Sequence, residues 1–140
     1  MDVYLNFISN NPILFLLFFI ILGFIIFHEF KSFTQKFKDI SPQDAVFLIN
    51  KDAFILDVRE SSELSQGIIK NSKHINFSSV KTSLDSIKKY KNKSTIVYCK
   101  SGARSKSICS ILTKNDFDKV YSLKGGFDAW ISDNLPISKN

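Results

Sequence analysis

A long apolar segment near the start of the chain precedes a region in which short apolar runs alternate with amphipathic segments. Residues 13–27 are fifteen consecutive apolar positions, counting Gly23. Later runs rich in β-branched and aromatic residues predict buried strands. The predicted strands are 53–58, 73–76, 95–98 and 119–123. Helical spacing and cap signals predict helices over 41–49, 61–66, 84–90 and 104–114, and a last helix that carries Trp130.

This alternation predicts an α/β domain with an open, mostly parallel sheet and helices on both faces. In such sheets, ligands bind beyond the carboxyl ends of the strands. Asp57 lies near the end of the strand at 53–58, and Cys99 directly follows the strand at 95–98. Both residues are therefore expected at the ligand-binding edge.

The segment that follows the strand at 95–98 has the composition of a reactive loop. Its residues are Cys99, Lys100, Ser101, Gly102, Ala103, Arg104 and Ser105. The glycine and small residues let several N–H groups converge, and the following helix adds positive potential. Arg104 adds a charged donor fork. These features favour a thiolate, which can attack an anionic sulfur donor and carry the sulfur as a persulfide.

The loop and four further segments, in the same order, resemble single-domain rhodaneses. The further segments are 56–60 (LDVRE), 63–69 (ELSQGII), 123–130 (LKGGFDAW) and 135–136 (LP). The resemblance covers roughly residues 39–137 and implies the rhodanese-like fold. It also implies transfer of sulfane sulfur from a donor such as thiosulfate to a thiol or protein acceptor. Cys99 is then the catalytic nucleophile, residues 100–105 bind the small anionic donor, and no cofactor is implied.

The chain departs from the family pattern at Ile68, where a histidine is usual, and at Leu64, where an aromatic residue is common. Two other functions stay open. One is a low-turnover module that binds or senses a sulfur carrier at the membrane. The other, weaker, is a cysteine phosphatase, although such enzymes use a C-x5-R loop and Cys99 and Arg104 are spaced C-x4-R.

The remaining candidate residues are assigned structural roles. Only two of the 19 basic residues are arginines, and Arg59 lies beside Asp57, which predicts a site-supporting ion pair. Cys109 falls within a helix and is expected in the core. Two cysteines give no disulfide framework, and neither His28 nor His74 belongs to a cluster with metal-ligand spacing.

The apolar segment predicts a single-pass transmembrane helix. The N-terminal side carries no Lys or Arg and no small-residue cleavage site follows, which disfavours a signal peptide. Lysines after the segment place the C-terminal domain in the cytoplasm, at the inner membrane. The predicted parts are an extracytoplasmic N-terminus (1–11), a membrane helix (12–30), a juxtamembrane linker (31–38) and a rhodanese-like domain (39–140). The net charge of +6 comes from scattered lysines, so no nucleic-acid partner is expected.

Overall fold

A computed structural model describes the backbone of residues 2–33 and 36–139, and the side chains of residues 6–28 and 36–139. The chain divides into two units, Met1–Gln35 and Lys36–Asn140. The first unit contains helix α1 (Asp2–Asn10) and helix α2 (Pro12–Phe33). Helix α2 begins at a proline, which the first helical position tolerates because its N–H needs no partner there.

The large apolar side chains of residues 13–27 are mostly exposed in this unit. Among the described residues, no helix combines the length and the apolar character that crossing a membrane requires. The predicted transmembrane helix is therefore not supported by the described part of the chain.

The second unit is built on a five-stranded sheet in which every strand pair is parallel. The strands are β1 (Lys38–Ile40), β2 (Phe54–Asp57), β3 (Lys73–His74), β4 (Ser94–Tyr98) and β5 (Lys119–Leu123). Their order across the sheet is β1-β5-β4-β2-β3. The α-helices are α3 (Pro42–Asn50), α4 (Ala103–Lys114) and α5 (Gly126–Ser132). Three 3₁₀ helices span Ser61–Gln66, Phe77–Ser79 and Leu84–Tyr90.

Helices cover both faces of the sheet. Because neighbouring residues of a strand point to opposite faces, each strand contributes to two separate cores. On one face Val97 of β4 belongs to the same core as Ile108 of α4. On the other face Ile96 shares a core with Ala45 of α3 and Trp130 of α5. The predicted α/β architecture is confirmed, and the sheet is parallel throughout. This arrangement places the carboxyl ends of β2 and β4 side by side.

Several predicted elements differ from the observed ones. The segment at 84–90 is a 3₁₀ helix, and the predicted strand at 73–76 shortens to two residues because it is an edge strand paired only with β2. Strand β1 was not predicted and begins at Lys38, the last residue of the predicted linker. It has three residues, of which two are exposed, so it has too little apolar pattern to be recognised.

Candidate active site

The candidate loop connects the end of β4 to the start of α4. Gly102 is the cap residue of α4 and adopts a left-handed conformation, with φ 99°. Its backbone N–H donates a hydrogen bond to Cys99 Sγ over 3.1 Å. A Cβ atom on Gly102 would lie 3.3 Å from Gly125 N. A glycine therefore lets the chain turn tightly enough to bring an N–H group onto the sulfur.

The turn between β5 and α5 holds the outer side of this loop. Phe127 N–H donates to the carbonyl oxygen of Cys99 over 2.8 Å, and Asp128 N–H donates to that of Lys100 over 3.1 Å. Gly126, directly before Phe127, has φ 61°, and a Cβ atom there would lie 2.5 Å from both carbonyl oxygens. The start of α5 thus binds the carbonyl groups at the beginning of the loop. The motif at 123–130 includes the residues that make this contact, but its sequence alone does not indicate that they bind the loop.

The predicted donor-binding residues 100–105 differ in their exposure to solvent. Lys100, Ser101 and Ala103 are exposed. Ser101 and Ala103 help to line a cleft of about 360 Å³, to which Lys106 and Lys124 also contribute.

Ser105, by contrast, is buried and stabilises the loop. Its hydroxyl donates to the carbonyl oxygen of Gly102 over 2.9 Å and lies 2.8 Å from Ser122 Oγ on β5. The Ser105 side chain thus fastens the first turn of α4 to the sheet.

Arg104 lies at the start of α4 and is paired with Glu63, a residue that the sequence did not single out as functional. Arg104 Nη2 donates to Glu63 Oε1 over 2.9 Å. This hydrogen bond is the main cause that raises the pKa of Arg104; burial opposes it, while charge and hydrogen-bond interactions with Cys99 add to it. The same bond lowers the pKa of Glu63. The guanidinium is thus hydrogen-bonded to the Glu63 carboxylate, at the start of the helix that follows Cys99.

Asp57 and Arg59 form the predicted ion pair, and both are fully buried. Arg59 Nη2 donates to Asp57 Oδ2 over 2.7 Å, and the hydroxyl of Tyr98 donates to the same oxygen over 2.7 Å. The Arg59 guanidinium also lies over the ring of Phe127, 4.0 Å from its centroid. Burial lowers the pKa of Arg59, but the bond and charge of Asp57 outweigh burial and raise it. The two buried charges compensate each other, as buried charges require. The pair thus has a supporting role at the site.

Both cysteines are free and buried, and their surroundings differ. Cys109 lies in the core under α4, where burial raises the pKa of its thiol, as expected for an inert core residue. Cys99 is also fully buried and belongs to the same core, but it lies at the base of the loop and accepts the Gly102 hydrogen bond. Cys99 therefore has no exposed surface in this structure.

The segment with the unusual Ile68 is held by the C-terminus. Ile68 and Ser138 exchange two backbone hydrogen bonds of 2.8 Å. His74, elsewhere in the domain, lies with Nε2 2.8 Å from the carbonyl oxygen of Arg59. In the described part of the chain, no cluster of three or more His, Cys, Asp or Glu side chains is arranged to hold a metal ion.

Comparison with known proteins gives matches along most of the chain. A profile of the rhodanese-like domain family matches residues 41–133. YibN of Escherichia coli, described as uncharacterized, is 33% identical over 139 residues, covering 98% of this chain and 97% of YibN. Thiosulfate sulfurtransferase GlpE of Actinobacillus pleuropneumoniae is 33% identical over 105 residues, covering 74% of this chain and 95% of GlpE. The polysulfide-sulfur transferase homodimer of Wolinella succinogenes superposes with a TM-score of 0.66 at 28% identity, covering 82% of this chain and 88% of that one.

Proposed function

The chain belongs to the rhodanese-like family, and on that premise we propose that it moves sulfane sulfur through a persulfide on Cys99. Its similarity to proteins named as sulfurtransferases supports a sulfurtransferase-type enzyme. The observation that carries the proposal is the hydrogen bond from Gly102 N–H to Cys99 Sγ, at the start of a helix. An N–H group that points at this sulfur stabilises negative charge on it, whether on the thiolate or on the persulfide.

The proposed reaction has two steps. In the first, the Cys99 thiolate attacks the outer sulfur of the donor, and the donor S–S bond breaks. With thiosulfate, the electron pair of that bond leaves with sulfite, and Cys99 becomes a persulfide. In the second, an acceptor thiolate attacks the outer persulfide sulfur, which leaves as part of the acceptor and regenerates the Cys99 thiolate.

Each predicted residue has a role in this scheme. Arg104 and the N–H groups of residues 100–105 attract the anionic donor and steady the persulfide. Asp57 and Arg59 touch no reacting atom and keep the adjoining 3₁₀ helix in place. Thiosulfate is proposed as a donor because the GlpE relative is named a thiosulfate sulfurtransferase. Polysulfide is a second candidate because the Wolinella relative is named a polysulfide-sulfur transferase.

Intact-mass spectrometry after exposure to thiosulfate tests this function. We expect a gain of one sulfur atom that dithiothreitol removes, and the same treatment of Cys99→Ser should add none. Steady-state transfer to a thiol acceptor then separates an enzyme from a low-turnover carrier module. A protein that stays unmodified with thiosulfate and with polysulfide would contradict the proposal.

We also propose that residues 12–30 attach the protein to the inner membrane as a single pass, with the domain in the cytoplasm. The support is the apolar sequence of residues 13–27, the exposure of most of their side chains and the lysines that follow. The helices of the described residues do not by themselves meet the requirements of a membrane span. Carbonate extraction of membranes should leave the full chain in the pellet and release a Leu17→Lys, Ile20→Lys double variant. Release of the unaltered chain by carbonate would refute the attachment.

A further inference from the structure

Glu63 is fixed in place by hydrogen bonds to both of its carboxylate oxygens. Oε1 accepts the bond from Arg104 Nη2 over 2.9 Å, and Oε2 accepts one from the backbone N–H of Glu60 over 2.7 Å. The second bond belongs to a capping box at the start of the 3₁₀ helix Ser61–Gln66. Only 21% of the Glu63 side chain and 30% of the Arg104 side chain are exposed. The pair is therefore ordered and partly shielded from water.

The 3₁₀ helix that presents Glu63 is itself anchored by the buried ion pair. Arg59 Nη1 donates to the carbonyl oxygen of Glu63 over 3.2 Å, and Arg59 Nη2 donates to that of Gly67 over 2.8 Å. Because Arg59 is held by Asp57, the Glu63 carboxylate rests on a rigid support. A flexible surface pair would have no such support.

The Glu63–Arg104 pair also reduces the positive charge that a sulfur donor meets at the loop, where the exposed Lys100, Lys106 and Lys124 contribute the remaining cationic side chains. Arg104 is the guanidinium of the loop, and its charge is offset by Glu63 at hydrogen-bond distance. Arg59, the other arginine, is compensated by Asp57 and buried. A donor approaching the sulfur thus gains less from each of its negative charges than it would from an unpaired Arg104.

We infer that Glu63 is a positioning residue that, through Arg104, lowers the preference of the site for doubly charged over singly charged sulfane-sulfur donors. This inference rests on the proposed function and adds singly charged anions such as organic thiosulfonates to the donors that the site accepts. In that reaction the Cys99 thiolate attacks the outer sulfur of the thiosulfonate. The donor S–S bond breaks, its electron pair leaves with the sulfinate, and Cys99 carries the persulfide.

Two donors of matched shape and different charge test this selectivity. Thiosulfate is a dianion at neutral pH, and methanethiosulfonate has a methyl group where thiosulfate has a charged oxygen. The kcat/KM of persulfide formation is measured for both donors with the full-length wild type and with Glu63→Gln. The ratio of the thiosulfate value to the methanethiosulfonate value should rise about fivefold in Glu63→Gln, the effect of one partly exposed charge.

Two further variants separate charge selectivity from simple damage. Asp52→Asn removes the same charge beside Lys93, at the opposite end of β4 from Cys99, and asparagine suits the positive φ of 64° there. Its donor ratio should equal that of wild type. Glu63→Asp keeps the charge, so its ratio should stay near the wild-type value even if both rates fall.

The outcomes are distinct. An equal donor ratio in wild type and Glu63→Gln, with both proteins forming the persulfide, would overturn the role of Glu63. A rise of the same size in Asp52→Asn would overturn it too, because net charge alone would then explain the effect. Wild-type protein that forms no persulfide with either donor would instead refute the proposed function.

Discussion

Replacing Gly126 by alanine tests how the β5–α5 turn holds the candidate loop at residues 99–105. The new Cβ atom would lie 2.5 Å from the carbonyl oxygens of Cys99 and Lys100, and real Cβ atoms essentially never come closer than 3.0 Å to such atoms. Both obstructing atoms are backbone, so no rotamer change relieves the clash. The loop must move away from α5 by at least about 0.5 Å.

Three contributions give the expected loss of stability. Alanine at a φ of 61° costs about 1 kcal/mol in left-handed strain. Moving the loop weakens the bonds from Phe127 N–H and Asp128 N–H, each with a net contribution of about 1 kcal/mol. The free energy of unfolding should therefore fall by about 3 kcal/mol. The displaced loop should also slow persulfide formation about 10- to 100-fold, because catalysis is sensitive to misplacements near 1 Å.

Gly125→Ala is the matched control for Gly126→Ala. Gly125 also has a positive φ, of 74°, but its Cβ would meet the methyl group of Ala129 and no loop carbonyl. Unfolding in urea gives the stability of both variants, and single-turnover mass spectrometry gives the rate at a temperature where both are folded. Gly126→Ala should lose more rate than Gly125→Ala for the same loss of stability. Equal rates in the two folded variants would show that the contact does not position the loop.

The other predictions concern the ion pairs and the second cysteine. Arg59→Leu should lower the free energy of unfolding by about 3–5 kcal/mol, because it leaves Asp57 buried and unpaired, whereas Lys93→Ala in the exposed pair with Asp52 should cost less than about 1 kcal/mol; similar urea midpoints would contradict this. The Glu63 pair should contribute about 0.5 kcal/mol at neutral pH. Since Arg104 lowers the folded-state pKa of Glu63, that contribution is present above the ordinary value of 4.5 and is lost as the pH falls below it; a wild-type advantage over Glu63→Gln that persists in acid would exclude this origin. Cys109→Ala should cost about 1 kcal/mol of stability and leave the rate of persulfide formation unchanged, and a slower rate would assign the core thiol a part in the reaction.

The sheet and the conformation of the loop at residues 99–105 could be predicted from the sequence because their signals are local. The β-branched run before Cys99 and the small residues after it determine a strand, a turn and a helix start in consecutive residues. The predicted Asp57–Arg59 pair was similarly local, because only Val58 separates Asp57, at a buried strand end, from its counter-ion. Such features follow from spacing and residue type alone.

The contacts that hold the loop could not be predicted in this way. Glu63 and Arg104 are far apart in sequence, and only the parallel sheet brings the 3₁₀ helix beside the start of α4. The clash at Gly126 likewise depends on how closely α5 approaches the loop. The 84–90 segment shows the complementary problem, since its apolar spacing is shared by α and 3₁₀ helices.

The most direct test of sulfur transfer is the mass of the protein after a short exposure to a sulfane-sulfur donor, with the modified residue located by peptide mapping. The proposed function predicts one added sulfur atom on Cys99, removable by dithiothreitol and transferable to a thiol. Sulfur found on Cys109 instead, or on neither cysteine with any donor class, would contradict it.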